Sequence, residues 1–254
     1  MIPYRDENPT LKTPVVTYTI VALNVLVWLF VQGAGAGLPL ARSVCQLGLI
    51  PGELTGRVAG GAVVQMGPEL YCHLEAGRNY AHVVTSMFLH GSWIHIIMNM
   101  WFFWIFGNNI EDSMGRVRFA AFYLLCGVAA ALAQVAMDPA SAVPVVGASG
   151  AISGVMGAYL VLYPRVRVFT LVPLGFFLTT IALPAWAMLG YWIVLQFLGA
   201  LPGLAGAQAG AGVAFWAHIG GFLIGAATIK LFASPAYLAS RRQNPWSPQR
   251  LRWG

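Results

Sequence analysis

Four side chains in this sequence have the types and spacing that acyl-transfer chemistry requires. Ser149 stands between glycines in Gly147-Ala148-Ser149-Gly150, at the head of an apolar run that continues to Tyr159. His95 and Asn99 follow His90-Gly91-Ser92-Trp93-Ile94 at a spacing of four, which puts them one turn apart on one helix face. His218 lies in Ala217-His218-Ile219-Gly220-Gly221, with Gly225 one turn further on. A serine hydroxyl becomes a useful nucleophile only when a base takes its proton, and His218 is the candidate base. Attack on an amide carbonyl creates an oxyanion that needs preorganised donors. The backbone N–H of Ser149 at a helix start, the Asn99 amide and the His95 ring N–H are available for that. No acidic residue falls within the apolar runs, Asp138 being the nearest, so the pattern predicts a Ser-His dyad rather than a triad.

Plain packing is the competing account. Ser153, Gly150, Gly154, Gly157, Gly221 and Gly225 could form small-residue helix faces with no chemistry attached. Two histidines and an asparagine inside apolar helices are harder to assign to packing, because burying an imidazole or amide without partners is costly.

The surrounding elements decide where these groups sit. The chain has 254 residues, 58% of them hydrophobic and only 9% charged, with a mean hydropathy of +0.71. A soluble domain carries roughly a quarter charged residues, so this composition predicts a membrane protein. The net charge of +6 does not point to nucleic acid, because the basic residues sit at the ends of apolar runs rather than in a binding pattern. The expected fold is an all-α polytopic six-transmembrane-helix bundle with a large structured loop between the first two helices. The spans are read at Val15–Val31, Trp93–Phe106, Phe119–Met137, Ser149–Tyr163, Pro184–Leu201 and Val213–Phe232. Residues Leu38 to Leu89, with Pro39, Pro51, Glu53, Glu69 and Glu75, read as a structured loop in the membrane interface. Pro173, Gly175 and Pro184 interrupt the long apolar stretch from Val168, predicting an interfacial turn or hairpin to about Ile181 before the fifth span. Residues 1–14 and 233–254 read as cytoplasmic segments flanking the 15–232 membrane domain, the tail lying along the membrane or disordered. No cleavable signal pattern precedes the first span, which is expected to serve as its own insertion signal.

Charge supports this count. With the amino terminus in the cytoplasm, eleven of the 14 basic residues fall inside, and Arg42, Arg57 and Arg78 of the large loop fall outside. The fourth span is short: about 22 Å at 1.5 Å per residue, against a hydrocarbon core of about 30 Å. Arg165 and Arg167 hold its Tyr163 end at the cytoplasmic boundary, so its Ser149 end must be sunken. His95, Asn99 and His218 enter from the same outer side, all within roughly 10 Å of that surface. A solute pathway would instead distribute polar groups through the full depth.

At this point the chain resembles the rhomboid family of intramembrane serine proteases, of the six-span bacterial type. That family carries G-x-S-G, matched by Gly147 to Gly150. It carries H-x4-H-x3-N, matched by His90, His95 and Asn99, and A-H-x2-G-x3-G, matched by Ala217, His218, Gly221 and Gly225. The resemblance implies Ser149 as nucleophile, His218 as general base, His95 and Asn99 as oxyanion donors, and His90 as a structural residue tying down the first loop. It implies transmembrane protein substrates within a lipid bilayer, a site opening to the outer side of a bacterial plasma membrane, and no cofactor or nucleic acid. The gating of substrate entry by the fifth span is likewise implied by the family alone. A rhomboid-like protein that binds membrane clients without cleaving them is the alternative, although such relatives generally lack the serine or the histidine.

Two positions depart from the family. Ala81-His82 stands where many relatives have Trp-Arg, and Ser153 stands where some have an aromatic residue that stacks on the catalytic histidine. What orients His218 is therefore open. Cys45 and Cys72 share the outer loop, and either a disulfide or two free thiols would fit. Cys72-His73 and His82 lack a metal-ligand spacing, so no metal is expected.

Overall fold

The computed structural model describes residues 1–67, 70–74, 77–175, 177–204 and 213–243. Glu69 and Glu75 of the loop and Arg250 and Arg252 of the tail lie outside the described residues.

Helices dominate. Helix α1 (Val15–Leu26) continues through a π turn over Val27–Val31. Within the large loop come α2 (Gly37–Leu47), α3 (Pro51–Thr55), strands β2 (Val63–Gly67) and β3 (Leu70–His73), and the short α4 (His82–Thr85). The bundle helices follow: α5 (Trp93–Met114), α6 (Arg116–Met137), α7 (Ser149–Leu162), α8 (Ala185–Leu204) and α9 (Phe215–Phe232), then α10 (Pro235–Gln243). Among the described residues, α6, Ala185–Pro202 of α8, and α9 are long and apolar enough to cross a membrane. Val15–Val31 and α7 are shorter apolar helices.

Helix α7 is the centre of the bundle. Every residue from Gly150 to Tyr159 is buried, although the helix has only 14 residues. Its glycines meet α9 backbone to backbone. A Cβ on Gly221 would lie 2.0 Å from the Gly150 carbonyl oxygen, and one on Gly225 would lie 2.0 Å from that of Gly154. Small residues are what permit so close a crossing. On the other side, Phe103 and Phe106 of α5 pack with Phe119 of α6 and Tyr159 of α7.

The all-α expectation requires correction, since two antiparallel sheets are present. Strand β1 (Ile2–Asp6) pairs with β4 (Arg167–Leu174), which pairs with β5 (Phe177–Pro184), in the order β1-β4-β5. The β4–β5 pair is the hairpin that Pro173 and Gly175 suggested. The β1 partner lies some 160 residues away in sequence, with Ile2 opposite Leu171, so no local pattern announces it. Strands β2 and β3 form a second hairpin in the loop. A disulfide joins Cys45 on α2 to Cys72 on β3. Leu49 makes an isolated antiparallel bridge to Val145, tying the loop to the segment that enters α7.

Two further differences concern charge. Helix α5 runs two turns beyond the expected end and carries Glu111 and Asp112, both buried. They have work there. Glu111 accepts from the backbone N–H groups of Val16 and Thr17 and from the Thr17 hydroxyl, at 2.8–3.0 Å, satisfying orphan donors at the start of α1. Asp112 accepts from the N–H groups of Leu11 and Lys12. The described part of the tail forms α10 and inserts Arg241. That guanidinium donates to Asp112 at 2.8 Å, to Asn8 and Asn109, and to the Pro9 carbonyl. An unpaired buried charge would be expensive, and this one is paired on every side.

Candidate active site

The three segments singled out in the sequence meet at one end of α7. Ser149 is its first residue, His218 lies in the first turn of α9, and His95 and Asn99 lie in the first two turns of α5. Ser149 Oγ and His218 Nε2 are 2.8 Å apart, a normal hydrogen-bond distance. With Nε2 accepting the serine proton, the histidine's own proton belongs on Nδ1. Nδ1 faces Gln196 Oε1 at 2.8 Å. Backbone packing fixes the two helices that carry the pair, while the Ala217 N–H donates to Gln134 of α6 at 3.3 Å and steadies the start of α9.

His95 is oriented from its own helix start. Ser92 caps α5 by accepting from the His95 N–H at 3.2 Å. The Gly91 N–H donates to His95 Nδ1 at 3.3 Å, which leaves the ring proton on Nε2. That nitrogen lies over Gly147, where a Cβ would come within 2.9 Å of it and 3.4 Å of Ser149 Oγ. Gly147 also has φ +131, so both conformation and clearance demand glycine. Its N–H is held by the Ser86 carbonyl at 2.9 Å. Asn99 is buried, and its Nδ2 donates to no protein group. A buried donor left unpaired costs about 1–3 kcal/mol. It and the His95 Nε2–H are the side-chain donors on this face of α5.

His90 is wholly buried and neither ring nitrogen has a protein partner. Burial, with the neighbouring His95 adding to it, pushes its pKa down to about 3, so the ring stays neutral. Its backbone does the tying. Gln32, just past the end of α1, donates to the His90 carbonyl at 2.7 Å and accepts from its N–H at 2.8 Å. The His90 ring packs edge-on against His95, with centroids 5.1 Å apart. At the other departure from the family pattern, His82 Nε2 lies 2.9 Å from Asn79 Nδ2 within the loop.

A cavity of about 30 Å³ adjoins Ser149, lined by small residues such as Gly127, Ala130 and Gly150, by the larger Leu49, Met87 and Val145, and by Ser86 as a polar group. It is large enough for one water molecule or a small side chain. Among the described residues, no three metal-ligating side chains converge.

Sequence reasoning missed three residues that hold this site: Gln196, Trp192 and Gln32. Ser153, which could not stack on His218, donates its hydroxyl back to the Ser149 carbonyl at 2.6 Å. The ring near His218 comes from α8 instead: Trp192, at 5.7 Å between centroids and tilted by 39°. Gln196 was nonetheless visible as the one amide side chain in an otherwise apolar span, a position where polar groups are expensive.

Comparison with known proteins bears on the same segments. The Rhomboid domain family model matches residues 77–235. The chain is 37% identical over 84 residues to RHOMBOID-like protein 6, mitochondrial, of Arabidopsis thaliana, covering 33% of this chain and 27% of that protein. It is 31% identical over 163 residues to Rhomboid-like protease 5 of Toxoplasma gondii, covering 60% of this chain and 17% of the relative. Rhomboid protease GluP of Bacillus subtilis (strain 168) is 33% identical over 87 residues, covering 34% of this chain and 17% of GluP. The chain thus spans only about a sixth to a quarter of the length of these relatives. With the domain match covering more than half of its residues and its apolar helices consistent with an integral membrane protein, this chain belongs to the rhomboid family.

Proposed function

We propose that this protein is an intramembrane serine endopeptidase that hydrolyses peptide bonds in or near the transmembrane segments of other membrane proteins. The observation that carries the reading is the 2.8 Å contact between Ser149 Oγ and His218 Nε2. Ser149 Oγ attacks the scissile carbonyl carbon as its proton passes to His218 Nε2. The resulting oxyanion is held by the Ser149 N–H, the His95 Nε2–H and the Asn99 amide. His218 then protonates the leaving amine, the C–N bond breaks, and an acyl-enzyme remains on Ser149. A water molecule, giving its proton to His218, attacks the ester and releases the carboxylate product with Ser149 restored.

A helical substrate hides its carbonyls in internal hydrogen bonds and must unwind before attack. The small volume of the cavity beside Ser149 suits a small side chain next to the cut. In this reading the 15–232 unit is a six-span domain in a bacterial plasma membrane, with both flanking segments cytoplasmic and the site opening outward. The charge bias and the 14-residue length of α7 support that placement.

The test uses full-length protein in liposomes with a single-span substrate and a fluorophosphonate probe. Wild type is expected to cleave the substrate and take up label, and Ser149→Ala to do neither. A wild-type protein that neither cleaves nor labels would overturn the proposal and favour a non-catalytic, client-binding role.

A further inference from the structure

We infer that Gln196 is the positioning residue that holds His218 as a base, a role that rests on the proposed hydrolytic function. A histidine accepting a proton at Nε2 must carry its own proton on Nδ1 and needs an acceptor there. Among the described residues no carboxylate supplies one. The Nδ1 partner is Gln196 Oε1, at 2.8 Å, on a different helix from both members of the dyad.

The orientation of the amide is settled by its second bond. Gln196 Nε2 donates to the Trp192 carbonyl, one turn earlier on α8, at 3.3 Å. Flipping the amide would set its carbonyl against the Trp192 carbonyl and its NH2 against the Nδ1–H, losing both bonds. The oxygen therefore faces the histidine. Burial points the same way. Gln196 is 8% exposed, while its neighbours Leu195 and Phe197 are 41% and 44% exposed. A polar side chain turned inward from an apolar helix is tolerated only when bonded, and its inward partner is His218.

Trp192 limits the remaining freedom of the imidazole. It packs beside the His218 ring and stacks on Phe222 of α9, with centroids 6.1 Å apart. Helix α8 thus supplies both the acceptor and the ring wall that α7, with Ser153, does not. Gln196 is a neutral acceptor. It selects the tautomer and stabilises the imidazolium through a carbonyl dipole, without the larger rise in basicity that a carboxylate would impose. The other groups facing His218 are Ser149 of α7 and the titratable His95 of α5.

The experiment measures kcat, KM and the pH dependence of kcat/KM in liposomes for wild type, Gln196→Leu and Gln196→Glu. Gln196→Leu is expected to lower kcat about 10- to 100-fold with KM within about twofold, because base alignment acts on the chemical step. Its thermal unfolding midpoint should not fall, since an apolar side chain suits that span. Gln196→Glu should retain turnover and move the acidic limb of kcat/KM upward by about one pH unit or more, as a carboxylate beside the imidazole favours its charged form. A packing role alone would leave that limb unmoved. Active wild type with Gln196→Leu turnover within twofold, or a Gln196→Glu profile superimposed on wild type, overturns the assignment and leaves the hydrolytic function standing. Inactive wild type removes both together.

Discussion

Gly221→Ala is expected to disarm the dyad without altering either member. A Cβ at position 221 would sit 2.0 Å from the Gly150 carbonyl oxygen and 3.0 Å from its carbon, with Ala130 Cβ at 3.3 Å behind. The nearest atoms are backbone, so no rotamer change relieves the clash. Reaching an ordinary 3.4 Å contact moves α9 from α7 by about 1.4 Å at this crossing. Ser149 and His218 flank that crossing, one residue before Gly150 and three before Gly221. A displacement of that size takes their 2.8 Å contact to about 4 Å, beyond hydrogen bonding. Misplacement by 1 Å costs on the order of 100-fold in rate, and overpacking costs about 1–3 kcal/mol in stability. Liposome cleavage at saturating substrate, fluorophosphonate labelling rate and thermal unfolding in detergent read the two effects separately. Leu223→Ala, on an exposed part of the same helix, is the control. If Gly221→Ala turns over within about twofold of wild type, the backbone contact does not set the alignment of the dyad and the reasoning fails.

Two predictions concern the other end of the bundle. Arg241→Met strips the buried Asp112 of its cationic partner while leaving the Leu11 and Lys12 N–H bonds, and should destabilise the protein by about 3 kcal/mol in detergent unfolding; a loss under about 1 kcal/mol would show that α10 is not anchored this way. Burial lifts the Asp6 carboxyl to about 7 despite hydrogen bonds from Tyr159 and Asn109 and the nearby charge of Arg241. An acid whose folded pKa is raised gives stability that is full below its unfolded value of 3.8 and is lost as pH rises through about 7. Unfolding midpoints should therefore fall from about pH 4 to about pH 7 and level off above it, and Asp6→Asn should flatten that slope; an unchanged slope in the variant contradicts the assignment.

Much of the candidate site's geometry was legible because its residues lie in short, strongly spaced segments. His95 and Asn99 share a helix face by spacing alone, and Ser149 is set at a helix start by the glycines before an apolar run. The hairpin after α7 could be anticipated from Pro173 and Gly175, because these residues break helices locally. The Cys45–Cys72 disulfide could only be held open, since composition cannot distinguish two thiols in one loop from a bridge. The small extent of α7, Ser149–Leu162, was also readable, because the apolar run after Ser149 is itself short.

What escaped the sequence shares one cause: each missed feature is a pairing between residues far apart in the chain. Strand β1 exists because β4 offers an edge, and nothing between Ile2 and Asp6 signals a partner at Val168 to Leu171. Glu111 and Asp112 look like the charged end of a helix until the N–H groups at the start of α1 are brought to them. Gln32 is an unremarkable polar residue until His90 lies against it. The sequence by itself determined which residue types could do chemistry and which short segments carry them. Only the tertiary structure decided what holds His218, because the hydrogen bond to Gln196 depends on how α8 packs against α9, and that packing has no local code.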